Sequence, residues 1–342
     1  MISQLNIIYI VWVLLFVFTC FICFFLVNRH LINYTSPNVQ RNVIRIILLC
    51  PLNSGLGILS LFFPKINVFT NIVRNCYLAH TAHCYLLMMN NSIGEKNMID
   101  YFESHGPMKG CCKTTKPNRR FFNTLKFGVI QYFIVKILCS IAIIVFIFMK
   151  EEHHVITNLG SFAPYEYLIS IISLLFCVLS ISIYLCVCKE KLFQFWPMIK
   201  YRIVVYTIAM EPIVILPLVF VFIKGPFILG FKDSLNQAFF FINSMIVFSM
   251  FLVSILYLFI YSFRIFKDLQ SNEPLVGDKW KDSLGLFNYL DVLNPKDIFY
   301  DFVSLFKSNN NKFKELVEQE KNPEEINGQE NESDKLTSIE IA

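Results

Sequence analysis

The chain has 342 residues, of which 55% are hydrophobic and 16% charged, and it carries a formal net charge of +5. A soluble domain has roughly 25% charged residues and could not hide this much apolar surface in one core. An ordinary soluble enzyme, a disordered regulator and a nucleic-acid binder are thereby excluded, and the expectation is an all-α, multi-pass membrane protein.

A membrane-crossing helix needs about 20 mainly apolar residues. Seven segments come close to that, predicting a seven-transmembrane-helix bundle. The first, Ile7 to Val27, has no charge and ends at Asn28-Arg29-His30. It is longer than a signal-peptide core and no cleavage motif follows it, so it reads as a retained span. The second, Ile46 to Phe63, contains Pro51, Asn53, Gly55 and Gly57, which predicts a kink. Val68 to Met89 is the least apolar, with Arg74, Asn75, His80, Thr81 and His83. The fourth runs from Phe127 to Met149 and holds Gln131 and Lys136; the fifth runs from Tyr167 to Cys188. Glu211, Pro212 and Pro217 interrupt the sixth, Ile203 to Ile223, and Asn243 lies in the seventh, Ala238 to Ile260.

Lys and Arg in the flanking loops set the orientation of such a bundle. Alternate loops carry eighteen of them on one side and four on the other. That asymmetry predicts an N-terminus outside and a C-terminus in the cytoplasm. Three glycosylation sequons, at Asn33, Asn90 and Asn331, then fall on the cytoplasmic side and are expected to be unused. The predicted organisation is a transmembrane domain over residues 1–263, a cytoplasmic juxtamembrane segment over 264–308 and a disordered charged tail over 309–342. In the juxtamembrane segment Asn294 is a good helix N-cap, Pro295 suits the first helical position and Asp297 favours the positive helix end. Ile298, Phe299, Phe302, Val303, Leu305 and Phe306 then form an apolar face, predicting an amphipathic helix on the membrane or under the bundle.

Nine of the eleven cysteines lie in or beside apolar runs, where Cys behaves as a small hydrophobe. Cys111 and Cys112 are adjacent in a basic loop, and are either palmitoylated or unmodified thiols. His80 and His83, with Cys76 and Cys84 a turn either side of His80, have spacing compatible with a metal site. Without a third ligand, packed polar side chains are the better reading, and no metal is expected.

The depths of the ionisable residues suggest one layer. Lys136 lies nine residues past Phe127, Glu211 eight past Ile203 and His80 nine before Met89. At ~1.5 Å per residue these are about 13.5, 12 and 13.5 Å from the cytoplasmic face. A lysine, a carboxylate and an imidazole near the midplane would form a solute or proton site, or a static ion pair. The candidate substrate-binding residues are Lys136, Glu211, His80, His83, Gln131 and Arg74. Walker, GxGxxG and HExxH motifs are absent, and no catalytic residue or cofactor is expected. A G-protein-coupled receptor is disfavoured: the third span ends in Met88-Met89-Asn90-Asn91, with no Asp-Arg-Tyr-like triplet.

Several stretches, in order along nearly the whole chain, resemble the organic solute transporter alpha subunit and transmembrane protein 184 family. They are Arg74-Asn75-Cys76-Tyr77-Leu78-Ala79; Gln131-Tyr132 followed by Lys136; and Glu190, Leu192, Phe195, Pro197, Lys200 and Tyr201. Cys111-Cys112 sits where members often carry a cysteine cluster. Leu293-Asn294-Pro295-Lys296-Asp297-Ile298, with Asp301 and Phe306, resembles the transmembrane protein 184 branch in particular. The sequence departs from the family pattern at Asn75, Leu78 and Val205, and at Ser244 of the Ser244-Met245 pair. The resemblance implies a transmembrane transporter of organic solutes; the alternative is a receptor or vesicle-trafficking scaffold that moves nothing. Expected partners are membrane lipids, an unidentified organic solute, and a single-pass partner subunit or a second copy of the chain. No nucleic acid is expected, and the location is the plasma membrane or an endomembrane.

Overall fold

Uninterrupted runs of Ile, Leu, Val and Phe satisfy their backbone groups only within helices when water is excluded, and long helices dominate the chain. A computed structural model describes residues 2–93, 95–104, 108–109, 114–115, 117–149, 163–188, 197–210 and 234–262. The predicted segments at 264–308 and 309–342, with Asn294, Pro295, Asp297 and Asp301, lie outside these residues, as do Cys111, Cys112 and Glu211.

Helix α1 (Ile2–Ile32) has 31 residues and runs about 46 Å. Arg29 and His30 stand in its last turn, where the negative end of the helix favours cations. Helix α2 (Pro37–Ile47) opens with Pro37, and the Ser36 N–H donates to Gln40 Oε1 at 2.8 Å. The helix is interrupted at Leu48, which keeps its N–H bond to the Ile44 carbonyl at 2.9 Å, and it continues as α3 (Leu49–Phe62). Pro51 is the cause: it has no N–H, and its ring excludes the carbonyl one turn upstream, at Ile47. A short 3-10 turn, Pro64–Ile66, leads into α4 (Asn67–Ile93).

Helix α4 packs against α2 and α3, and from Leu78 to Asn90 nearly every residue is buried. Surrounding protein rather than lipid is what lets it carry Arg74, His80 and His83. Beyond it, α5 (Glu95–Ser104) seats Met98 and Phe102 in the interior. A hairpin then pairs β1 (Met108–Lys109) with β2 (Thr114–Thr115), the one departure from an all-helical chain among the described residues. Asn118 Oδ1 accepts the Phe121 N–H at 2.8 Å and caps α6 (Arg119–Met149). The remaining helices among the described residues are α7 (Ala163–Cys188), α8 (Pro197–Met210) and α9 (Ser234–Ile260).

Side-chain pairs fix the helix directions. Tyr9 meets Phe240 and His30 meets Tyr261, at one constant offset of 231 residues, so α1 and α9 are parallel. Asn53 opposite Met250, with Gly57 opposite Val247, makes α3 and α9 antiparallel. Cys76–Ser140 and His80–Phe133 do the same for α4 and α6. Lys136–Glu166 and Gln131–Ser173 do so for α6 and α7. Lys200–Tyr261 and Thr207–Tyr257 set α8 antiparallel to α9. Among the described residues five stretches are long and apolar enough to cross a membrane: Asn6–Ile32, Pro37–Phe62, Arg119–Val145, Tyr165–Cys188 and Gln237–Ile260. Outward-facing Phe21, Phe24 and Phe25 on α1 and Leu175, Phe176 and Leu179 on α7 present the apolar surface that lipid requires.

Close packing of α6 on α7 rests on Gly128. A Cβ there would lie 2.0 Å from Ser180 Oγ and 2.9 Å from Ser180 Cβ. The hydroxyl can rotate away, but the Cβ moves only with its helix. Gly128→Ala is therefore expected to destabilise the protein by about 1–3 kcal/mol, and adding Ser180→Gly should recover most of it. Thermal unfolding in detergent reads this directly; a Gly128→Ala protein melting with the wild type would refute the packing.

Candidate functional site

Burying polar groups in an apolar bundle is costly unless they are satisfied by one another. The polar side chains of α4, α6, α7 and α9 accordingly gather in the interior in two groups. The first is a seam between α6 and α7. Lys136 Nζ lies 3.8 Å from Glu166 Oε1, with the two side chains only 11% and 17% exposed. Ser170 donates to the same Glu166 oxygen at 2.9 Å. One further turn along, Gln131 Nε2 donates to the Ser173 carbonyl at 3.1 Å, and Ser173 Oγ donates to Gln131 Oε1 at 3.2 Å. Ser140 donates to the Lys136 carbonyl and touches Cys76 Sγ at 3.4 Å, which joins the seam to α4. His80 faces it too, with its ring 6.1 Å from that of Phe133, one turn before Lys136 on α6. Cys84 Sγ lies 3.3 Å from His80 Nε2.

The second group links α4 to α9. Arg74 is 1% exposed. Its Nη1 donates to Asn243 Oδ1 at 3.4 Å and its Nη2 to Asn71 Oδ1. Asn243 Nδ2 donates in turn to Asn67 Oδ1 at 3.1 Å and to the Phe239 carbonyl at 2.9 Å. Thr70 donates to the Asn67 carbonyl at 2.9 Å and is hydrogen-bonded to Ser60 of α3. The guanidinium thus donates to carboxamide oxygens, which carry no charge of their own. Arg74 and His80 are six residues apart on α4, about 9 Å along its axis, so the two groups lie at neighbouring levels.

Toward the end at which α1 and α9 finish, aromatic and basic side chains replace the amides. His30 Nε2 is hydrogen-bonded to the Tyr261 carbonyl at 2.9 Å, and Lys200 Nζ sits 5.4 Å from the Tyr261 ring centre. Lys200 precedes the sixth predicted span, and burial pushes its ammonium down to about 8. Asn90 Oδ1 accepts from the Tyr184 hydroxyl at 2.5 Å and is buried, so this sequon offers no room for a glycan.

Of the predicted site residues, Lys136 and Gln131 stand in the seam, with His80 facing it. Arg74 belongs to the amide group, and His83 is buried elsewhere on α4. Glu166, Asn71, Asn243 and Lys200 were missing from the sequence-based set. Glu166, Ser170 and Ser173 recur at helical spacing on one face of α7, a stripe legible in the sequence. Among the described residues no three His, Cys, Asp or Glu side chains gather into a group that could hold a metal.

Long apolar helices around a polar interior define an integral membrane protein crossing the bilayer several times. Residues 8–266 match the family described as organic solute transporter Ostalpha, and the chain belongs to that family. It is similar to Protein LAZ1 of Arabidopsis thaliana, with 28% identity over 152 residues, 38% of this chain and 31% of that protein. Protein LAZ1 homolog 1 of Arabidopsis thaliana is 25% identical over 140 residues, 34% of this chain and 29% of that protein. A transmembrane protein 184 homolog of Dictyostelium discoideum is 28% identical over 119 residues, 32% of this chain and 24% of that protein. The matches thus span less than a third of each relative's length. No solved structure matches the chain.

Proposed function

We propose that the protein moves an organic solute across the membrane through the polar interior around α4. The observation that carries this reading is the placement of Arg74, Lys136, Glu166 and His80 inside an apolar bundle. Each ionisable side chain at bilayer depth costs about 2.5–3.5 kcal/mol on insertion scales, and such residues mark pathways by default. The amide-set Arg74 suits an anionic solute group, and the Lys136–Glu166 pair supplies one charge of each sign for exchange with solute or proton.

Seven crossings fit this reading. Five of the described stretches are long and apolar enough to span; α4 has 27 residues and is shielded by its neighbours; α8 opens the sixth predicted segment. The helix directions agree with an odd number of crossings between the start of α1 and the end of α9. On this reading the N-terminus is outside, the tail cytoplasmic, and the site plasma membrane or endomembrane. Lipids, the solute, and a single-pass subunit or a second copy are the partners. A second reading, a scaffold that transports nothing, is favoured by the satisfied Lys136–Glu166 contact at 3.8 Å.

Flux decides between them. Purified protein in sealed vesicles, offered a panel of anionic and steroid-like solutes, should give saturable uptake of at least one above protein-free vesicles. Uptake equal to protein-free vesicles across the panel favours the scaffold.

A further inference from the structure

One turn of one helix holds an end of the bundle together. Lys200 and Tyr201 are consecutive in the first turn of α8, so their side chains leave the helix about 100° apart. Lys200 reaches to α9, over the Tyr261 ring at 5.4 Å. Tyr261 in turn is tied to α1, since its carbonyl is hydrogen-bonded to His30 Nε2 at 2.9 Å. Tyr201 reaches the other way. Its hydroxyl is hydrogen-bonded to Ser182 and donates to the Val178 carbonyl at 3.3 Å, both on α7. The Tyr201 ring lies 6.4 Å from that of Tyr85 on α4. Two adjacent residues thereby join α8 to α4, α7 and α9, and through Tyr261 to α1. Lys200, His30, Tyr85 and Tyr261 are all buried, at 2%, 0%, 0% and 1% exposure. A cation and tyrosines are unusual material for a sealed core; a contact of charge on ring is strong only while water is kept out.

We propose that the first turn of α8 is a latch, in which Lys200 and Tyr201 keep the end of the bundle where α1 and α9 finish closed, and whose release admits water to the polar interior. The device rests on the transport reading for its purpose, since a path between two aqueous phases needs a closure at each end. Its existence does not depend on flux. Cys50 on α3 and Cys84 on α4 are both 0% exposed. Cys50 stands beside Tyr257 and Tyr261 of α9, directly behind the latch, and Cys84 borders the polar interior through its contact with His80.

The experiment follows reaction of these cysteines in the full chain, in sealed membranes, with a small membrane-impermeant thiol reagent read residue by residue by mass spectrometry. Lys200→Met combined with Tyr201→Phe should speed reaction at Cys50 and Cys84 at least about tenfold, the order expected from losing one desolvated cation–π contact. Cys139, which stands beside Lys136, Glu166 and Ser170 in the seam, should be accelerated with them, while the protein still unfolds in one cooperative thermal transition. Lys200→Arg retains the charge over the ring and should react as the wild type does. Unchanged rates at Cys50 and Cys84 would overturn the latch. So would loss of the cooperative thermal transition in the double variant, which would make these contacts a support of the whole fold. Reagent entry without flux would leave the latch standing and count against transport alone; flux with no change in entry would do the opposite.

Discussion

Glu166→Gln in a chain that keeps Lys136 is expected to lose about 3 kcal/mol of stability, because one charge is then left uncompensated in an apolar bundle. Lys136→Met should cost a similar amount, through the orphaned carboxylate, although Ser170 still donates to it at 2.9 Å. The double replacement removes both charges together and should return to within about 1 kcal/mol of the wild type. The contact is 3.8 Å long with both side chains less than one-fifth exposed, so neither solvent nor salt offsets a single loss. Thermal unfolding of the three variants in detergent gives the comparison. Additive losses in the double variant would show that the two residues are not coupled.

Arg74→Leu should be comparably severe, at about 3 kcal/mol, because Asn71 and Asn243 each lose a charged donor inside the bundle. Arg74→Lys is not conservative here. The guanidinium serves the two amides through separate nitrogens, whereas an ammonium is one compact point of charge. About half the loss is expected from that substitution. Asn243 also holds Asn67, so Asn243→Leu breaks the α9 contact from the other side. A double-mutant cycle between Arg74→Leu and Asn243→Leu should return a coupling of about 1–2 kcal/mol. A coupling near zero would place the stability of α4 elsewhere.

Much of the membrane architecture was legible because its signal is local. Runs such as Ile7 to Val27 and Tyr167 to Cys188 need only their own composition to be read as spans, and Pro51 announces a break one turn upstream, at Leu48. The polar character of Val68 to Met89 likewise identifies a helix that other helices must cover. Pairing was not legible. Arg74 and Asn243 are 169 residues apart, and no local pattern ties one to the other. Glu166 stands just before the apolar run, where a carboxylate reads as a loop residue unless its helical spacing with Ser170 and Ser173 is followed into α7. Lys200 counts, by sequence, as a loop charge that sets orientation, and His30 reads as part of the boundary of the first span; both are buried. What hides them is packing by α8 and α9, a property of the assembled bundle.

The central claim is that the charges beside α4 take part in moving solute. Its most direct test is solute uptake by vesicles containing the Lys136→Met, Glu166→Gln double variant, once unfolding has shown that it is as stable as the wild type. Transport through the seam predicts uptake reduced at least about tenfold, equivalent to ~1.4 kcal/mol of lost stabilisation on the path. Uptake equal to that of the wild type would mean that the pair only holds α6 to α7, and would contradict the account.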